Sequence, residues 1–410
     1  MAKPLSIRAK ETPTLPFRLD RHELSGAFGD SGILFPLATA LIAINGLNPT
    51  VVFVGAGLYY IAAALYFRLP MPVQPLKAFS AIAIAGALSH GVIAAGVLLL
   101  GLAYFLLGAT GLITTLGRYV PVAVVKGIQL SLGITLLQLA WNLAQKGGAL
   151  PFDGARVDPF GFGVPLSLAV ALAALALVLV LLRWRFAPAS VVVLGIGVVL
   201  GLVSGDLGRS IALGPVPPTL EVPAPGEWWL AFTLLVIPQL PLSIGNAMIS
   251  MHDVAHSYFG FRAERATLPA IAKSMGLANL AVGWFAGMPM CHGAGGLTAH
   301  HRFGGRTPAA TLIIGVVCLV LGLVFGRSAL QIINELVPPA ILGALLAYVG
   351  WEHIQLIRVI RGMLPFATCG LVAAVSVVSA NLGWGVVAGL LFWYAVITGQ
   401  RLAASAPLGR

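Results

Sequence analysis

The chain has 410 residues, 59% hydrophobic and only 9% charged, with a formal charge of +11 at pH 7. A soluble domain carries about 25% charged residues, so near-continuous apolar runs joined by short polar loops exclude an ordinary globular protein and indicate a polytopic membrane protein. The basic excess calls for no nucleic-acid partner, because it is concentrated in alternate loops.

In chain order, residues 1–23 form a polar, basic N-terminal segment with no cleavable signal. Fourteen spans follow, at about 24–45, 50–68, 70–88, 91–109, 118–142, 163–182, 187–204, 228–252, 267–284, 287–301, 308–326, 329–350, 363–380 and 382–400. They divide into a first seven-span unit (24–205), a connection outside the cytoplasm (206–227), a second seven-span unit (228–400) and a short tail (401–410). Placing the N-terminus in the cytoplasm puts Lys3, Arg8, Lys10, Arg18, Arg21, Arg68, Arg118, Arg183, Arg185, Arg262, Arg265, Lys273, Arg302, Arg306, Arg358, Arg361, Arg401 and Arg410 on that side. The opposite side holds Lys146, Arg156, Arg209 and Arg327, as the positive-inside rule requires. The expected location is the plasma membrane, with both termini cytoplasmic. Cys291, Cys318 and Cys369, all in apolar surroundings, give no disulfide framework.

Two spans are broken. Met71-Pro72-Val73-Gln74-Pro75-Leu76-Lys77 and Met288-Pro289-Met290-Cys291-His292-Gly293-Ala294-Gly295-Gly296 each follow an apolar run with aromatic residues, Tyr66-Phe67 and Trp284-Phe285. Proline forces extended backbone before a new helix starts, and a break at membrane depth survives only beside protein or a water-filled cavity. Two half-helices with their N-termini at mid-membrane make an anion trap. The second Met-Pro pair lies 217 positions after the first, and Val337-Pro338-Pro339-Ala340-Ile341 lies at the same offset from Val120-Pro121-Val122-Ala123-Val124. Two matches at one offset indicate duplication of a seven-span unit, and an odd count inverts the second copy.

Polar groups within the spans are site candidates, since ionisable residues there are costly. Asp30, flanked by Gly29 and Ser31-Gly32, reads as a coupling-ion site or a brace for the half-helices, or else as a helix-terminal carboxylate near the interface. Gln74 offers an amide to an oxyanion, together with the backbone amides after Pro75 and Leu76. Lys77 supplies positive charge, pairs with Asp30, or snorkels away. In Cys291-His292-Gly293-Ala294-Gly295-Gly296 the glycines allow close approach to an anion nest of backbone amides. No CxxC or HExxH spacing supports a metal there, and no cofactor is expected. His300-His301-Arg302 marks the cytoplasmic end of the second half-helix. In span 8, Gln239, Ser243 and Asn246 at i, i+4 and i+7 share one face and are expected to line the cavity. His252 and His256 read as interfacial. Lys126, Gln129 and Glu335 are weaker candidates.

Gly29-Asp30, Asn45-Gly46-Leu47, Pro70-Met71-Pro72-Val73-Gln74-Pro75-Leu76-Lys77, Lys126-Gly127-Ile128-Gln129, Gln239-Leu240-Pro241-Leu242 and Pro289-Met290-Cys291-His292-Gly293-Ala294-Gly295-Gly296 resemble the molybdate transporter family, a branch of the sulfate permease (SulP) superfamily. The resemblance covers nearly the whole chain. It implies an all-α membrane protein of fourteen spans in a seven-plus-seven inverted repeat, like that of uracil permeases. Spans 1–4 and 8–11 would form a core domain and spans 5–7 and 12–14 a gate domain, with no STAS domain after the last span. It further implies a tetrahedral oxyanion, molybdate or sulfate, held between the starts of spans 3 and 10. Ser243-Ile244-Gly245-Asn246 departs from the Thr/Asn-rich block expected after Gln-Leu-Pro-Leu.

The expected mechanism is alternating access. The anion is held by Gln74, Lys77 and glycines 293, 295 and 296 and completed by Gln239, Ser243 and Asn246, with a proton or cation as coupling partner and a homodimer as the assembly. The competing readings are an anion channel of the same fold, a nucleobase permease, whose carboxylates in spans 8 and 10 are missing here, and a membrane enzyme using Cys291 and His292, for which no nucleophile–base–orienter set can be assembled.

Overall fold

A computed structural model describes residues 17–116, 119, 121–145, 156–157, 163–184, 189–204, 212–331 and 338–405. Val120, Val337, Glu335, Lys146, Arg209 and most of the N-terminal segment lie outside the described residues.

The first half begins with a short helix α1 (Arg21–Ala27), started by the Asp20 carboxylate, which accepts from the amides of His22 and Glu23. It continues with α2 (Ser31–Asn45) and α3 (Pro49–Phe67). Asn48 caps α3, and Pro49 occupies its first turn, where the missing N–H costs nothing. The first break follows as strand β1 (Gln74–Pro75) and helix α4 (Lys77–Ala85), and then come α5 (His90–Ala109), α6 (Ile113–Leu116) and α7 (Val122–Gln145). A small hairpin, β2 (Arg156–Val157) with β3 (Val164–Pro165), leads into α8 (Leu166–Trp184) and α9 (Ala189–Ser204).

The second half opens with a continuous helical segment over 225–263. It contains α10 (Pro225–Ala231), α11 (Ile237–Leu242) and α12 (Ser250–Phe259), separated by π-helical turns at Phe232–Val236 and Ser243–Ile249. Pro238 and Pro241 have no N–H to give to the ladder in this stretch, and the two π-helical turns lie on either side of them. Then follow α13 (Leu268–Gly283), β4 (Met290–Cys291), α14 (Ala294–Arg302), α15 (Ala309–Gln331), α16 (Pro339–Gln355), α17 (Met363–Val378) and α18 (Leu382–Ser405).

Seven of these helical segments are long and apolar enough to cross a bilayer, and Ile33–Asn45, Leu166–Leu181 and Met363–Val378 are shorter apolar helices. Helices lie along the expected spans, though the first span is divided between α1 and α2, and the eighth, expected to end at 252, lies in a helical segment that runs over 225–263. The eleventh does not stop at 326: α15 carries on through Arg327 and Ser328 to Gln331, and α16 begins only at Pro339. Arg327 Nε donates to the Pro215 carbonyl and Ser328 to that of Ala212, so these polar side chains are satisfied within the helix rather than ending it.

The duplication is visible in the packing. Helices α4 and α14 are each nine residues long, and their first residues, Lys77 and Ala294, lie at the repeat offset. Helix α3 packs along α15, and α13 along α5. Because α3 corresponds to α13 and α5 to α15, this is one contact made twice. Gly57 and Gly315 allow the first: a Cβ on Gly57 would come 2.7 Å from the Gly315 carbonyl, and one on Gly315 would come 3.1 Å from that of Gly57. The strands β1 and β4 pair antiparallel, with Gln74 opposite Cys291 and Pro75 opposite Met290. Gln74 and Cys291 are themselves equivalent, so the pseudo-two-fold axis passes through that pair.

Two helix groups result. α1–α5 and α10–α15 pack together around the crossed strands, whereas α7, α8, α9, α16, α17 and α18 pack as a second layer. These match the expected core and gate. The outward faces carry exposed Leu58, Leu65, Leu102, Leu106, Val316, Leu323, Phe366 and Leu391, as a lipid-facing surface requires.

Candidate functional site

Nine helical residues span about 14 Å, less than half of a hydrocarbon core about 30 Å thick, so α4 and α14 each stop short of crossing. Their N-termini approach each other because β1 and β4 are hydrogen-bonded side by side, a pairing extended by the Leu76 amide donating to the Pro289 carbonyl at 2.9 Å. Neither N-cap residue, Leu76 or Gly293, supplies a capping side chain. In α4 the Phe79 amide donates to Gln239 Oε1 at 2.9 Å, and in α14 the Gly296 amide donates to the Gly293 carbonyl at 2.9 Å. Among the described residues, the amides of Lys77 and Ala78, and of their repeat equivalents Ala294 and Gly295, have no acceptor. Two uncapped helix starts, each with a pair of free N–H groups and a positive dipole end, converge on one point.

Lys77 and Gly295, one residue from each start, line a cavity of about 540 Å³ between the two helix layers. Asp30, Lys77 and Gly295 line it from the core side, and Tyr348, Glu352 and His353 of α16 line it from the other. Gly295 faces open space, with nothing within 4 Å of where its Cβ would be. Gly296 and Gly293 are glycine for another reason. A Cβ on Gly296 would sit 2.6 Å from Asp30 Oδ2 and from Pro72 Cβ, and one on Gly293 would collide with the Gln74 amide.

Gln74 is fully buried and donates through Nε2 to Asp30 Oδ1; its Oε1 has no partner. Asp30 is thus held by Gln74 and not by Lys77, so the Asp30–Lys77 ion pair is absent and the Lys77 side chain stays half-buried at the cavity wall. Pro75 and Leu76 are buried in the strand pair and contribute backbone geometry, with no side chain on the cavity wall.

Five expected ligands are not on the cavity wall. His292 is turned away from the cavity: its Nδ1 meets the Pro72 carbonyl at 2.7 Å, and its Nε2 meets Tyr59 Oη at 2.8 Å and Ser274 Oγ at 3.0 Å. Phe67 stands edge-on to the ring at 5.5 Å. With both nitrogens committed, His292 braces the break against α3 and α13. Gln239 and Ser243 do share a face, Nε2 donating to Oγ at 2.8 Å, but Tyr104 Oη at 2.6 Å from Ser243 and the Phe79 amide at Oε1 complete a closed network that anchors α4. Asn246 lies within the π-helical turn and has no recorded bond to either; an i→i+5 turn breaks the 3.6 phase on which its i+7 placement depends. Cys291 is buried opposite Gln74 within the strand pair, and Ala294 contributes its free amide.

Asn279 and α16 were not legible as contributors. Asn279 bonds the Met290 amide at 2.9 Å and its carbonyl at 2.7 Å, fixing β4. His353 of α16 is a buried ionisable side chain in an apolar helix, the kind of residue that intramembrane cost singles out. His300 closes α14, its Nδ1 on the Gly26 carbonyl at 2.7 Å.

Known proteins resemble this chain in sequence and in fold. The sequence profile of a family described as "Molybdate transporter of MFS superfamily" matches residues 22–136 and 231–352, more than half of the chain. Molybdate transporter 2 of Arabidopsis thaliana is 32% identical over 366 residues, covering 80% of this chain and 77% of that protein. Molybdate transporter 1 of Chlamydomonas reinhardtii is 28% identical, covering 97% of this chain and 95% of that protein. Among solved structures, the transmembrane domain of the cyanobacterial bicarbonate transporter BicA superposes with a TM-score of 0.62 at 21% identity, covering 93% of this chain and 98% of that one. SLC26A9 superposes with a TM-score of 0.63 at 17% identity, covering 92% of this chain, which spans 65% of the SLC26A9 chain. The chain belongs to the molybdate transporter family and is an anion transporter built on the fold of SLC26A9 and BicA.

Proposed function

We propose that this protein carries molybdate across the plasma membrane by alternating access, with fourteen crossings in two inverted units (24–205 and 228–400) joined by 206–227. The dianion sits at the convergence of α4 and α14, accepting from the amides of Lys77, Ala78, Ala294 and Gly295, with Lys77 and Gln74 beside it. The observation that carries this reading is the pair of repeat-related, uncapped helix starts, each of which brings one residue, Lys77 or Gly295, to the wall of one cavity. Charge-assisted hydrogen bonds of this kind contribute about 1.5–3 kcal/mol each.

The cavity is bordered by Ser25, Arg302, Phe303 and Leu356, on the face that the basic residues assign to the cytoplasm. The described conformation is then inward-facing, and movement of the α1–α5/α10–α15 layer against the other would carry the site outward. Titration of the purified protein with molybdate, contested in turn by tungstate, sulfate and uracil, tests the reading. Tight molybdate binding displaced by tungstate supports it, stronger binding of sulfate moves the substrate to sulfate, and binding of uracil alone overturns it.

A further inference from the structure

The Asp30 carboxylate has no part in holding a dianion. Asp30 is 3% exposed and accepts from Gln74 through Oδ1 alone. Its Oδ2 is buried against Gly296 with no donor, and Gln74 Oε1 is equally bare. A buried carboxylate with an unpaired oxygen is costly, and the arriving oxyanion repels it. The local charge balance sharpens the conflict. Two helix N-termini act together as roughly one positive charge, and the Lys77 ammonium adds a second. Arg302 and Glu352, which also line the cavity, cancel each other, so with Asp30 ionised the site offers about +1, and with Asp30 neutral about +2, which matches a dianion.

We propose that Asp30 is the proton-binding site of the transport cycle, and that its protonation releases the Gln74 amide N–H to the oxyanion. This rests on the oxyanion reading of the cavity. An ionised Asp30 only accepts, so Gln74 must present Nε2 to it. A protonated Asp30 donates, and the Gln74 amide turns over: Oε1 accepts from the Asp30 O–H, and Nε2 moves to where Oε1 now lies, beside Gly293 at the start of α14. The two ends of a side-chain amide are nearly equal in size, so the turn needs no additional room. The proton enters from cavity water and leaves to water after the layers have moved. No bond to the oxyanion is made or broken, and one proton accompanies each dianion.

The other titratable groups around Asp30 are Lys77 on α4, Cys291 on β4, Tyr60 on α3 and, across the cavity, Tyr348, Glu352 and His353 on α16. From α14, Arg302 lines the cavity and the His300 backbone packs on Gly29. The ring Nδ1 atoms of His300 and His353 are committed to the Gly26 and Val349 carbonyls, and none of these side chains hydrogen-bonds to the Gln74 amide.

The experiment is calorimetric titration of the detergent-purified full chain with molybdate, in two buffers of different ionisation heat, from about pH 5.5 to about pH 8. The wild type is expected to take up about one proton per molybdate, with affinity falling by up to roughly tenfold per pH unit on the alkaline side. Asp30→Asn is expected to bind with no proton uptake and a flat pH profile, whereas Asp30→Glu retains both. Asp30→Asn with wild-type proton uptake would overturn the assignment. If that variant does not fold, the wild type decides: molybdate bound without proton uptake overturns the Asp30 assignment alone. Absence of molybdate binding at every pH overturns the oxyanion reading itself.

Discussion

Gly295→Ala isolates the anion site from the fold. No atom lies within 4 Å of the position its Cβ would take, so the change is sterically free in the protein. In a helix, alanine is favoured over glycine by about 0.8–1 kcal/mol, so stability is expected to hold or rise slightly. The same Cβ points into the cavity, where it displaces an oxyanion from the Gly295 and Ala294 amides. Losing one charge-assisted bond costs about 1.5–3 kcal/mol, which raises Kd by roughly 10- to 150-fold. Equilibrium binding of molybdate, with thermal melting of the same samples, reads both effects. Wild-type affinity in a folded Gly295→Ala protein would refute placement of the anion at the start of α14.

Other substitutions separate bracing from binding. His292→Phe removes three hydrogen bonds while keeping the edge-on aromatic contact. It is expected to cost roughly 2–4 kcal/mol of stability, seen as a lower Tm, while molybdate Kd of the folded fraction stays within about threefold of wild type. Gln239→Leu strands the buried Phe79 N–H and is expected to cost about 1–3 kcal/mol, with weaker molybdate binding as α4 loosens; thermal melting and titration check both. Glu23 ties α1 to the loop between α14 and α15: it accepts from the Arg306 and Thr307 amides, each at 3.0 Å. Burial pushes its carboxyl above the ordinary value of 4.5, against the pull of those amides. A raised value means the folded state holds the proton more tightly, so stability falls as pH rises past 4.5 toward the raised value. Glu23→Gln, which retains the acceptor, is therefore expected to raise Tm at about pH 8 and leave it unchanged at about pH 4.

The fold was legible where it depended on local chemistry. Prolines 72 and 289 break their spans for steric reasons that need no partner, and their common offset with the Val-Pro pairs exposes the duplication. Both helix starts then fall where those breaks place them, at Lys77 and Ala294. What failed was side-chain direction. His292 looked like a ligand because it sits among glycines at a break, yet which way it points depends on Tyr59 and Ser274, which the sequence pattern does not connect to it. Asn246 is not on the cavity wall, and the 3.6-residue period on which its expected placement depends does not run through π-helical turns. The Gln74–Asp30 contact joins residues 44 apart and leaves no periodic trace, although Asp30 stands out by its cost at membrane depth and Gln74 by its place at the break.

The most direct measurement is molybdate uptake into liposomes containing the purified protein, run beside empty liposomes and Gly295→Leu. Saturable uptake that tungstate competes away and Gly295→Leu abolishes is the expected result. Uptake that grows linearly with concentration, or that Gly295→Leu leaves intact, would contradict transport through a site between α4 and α14.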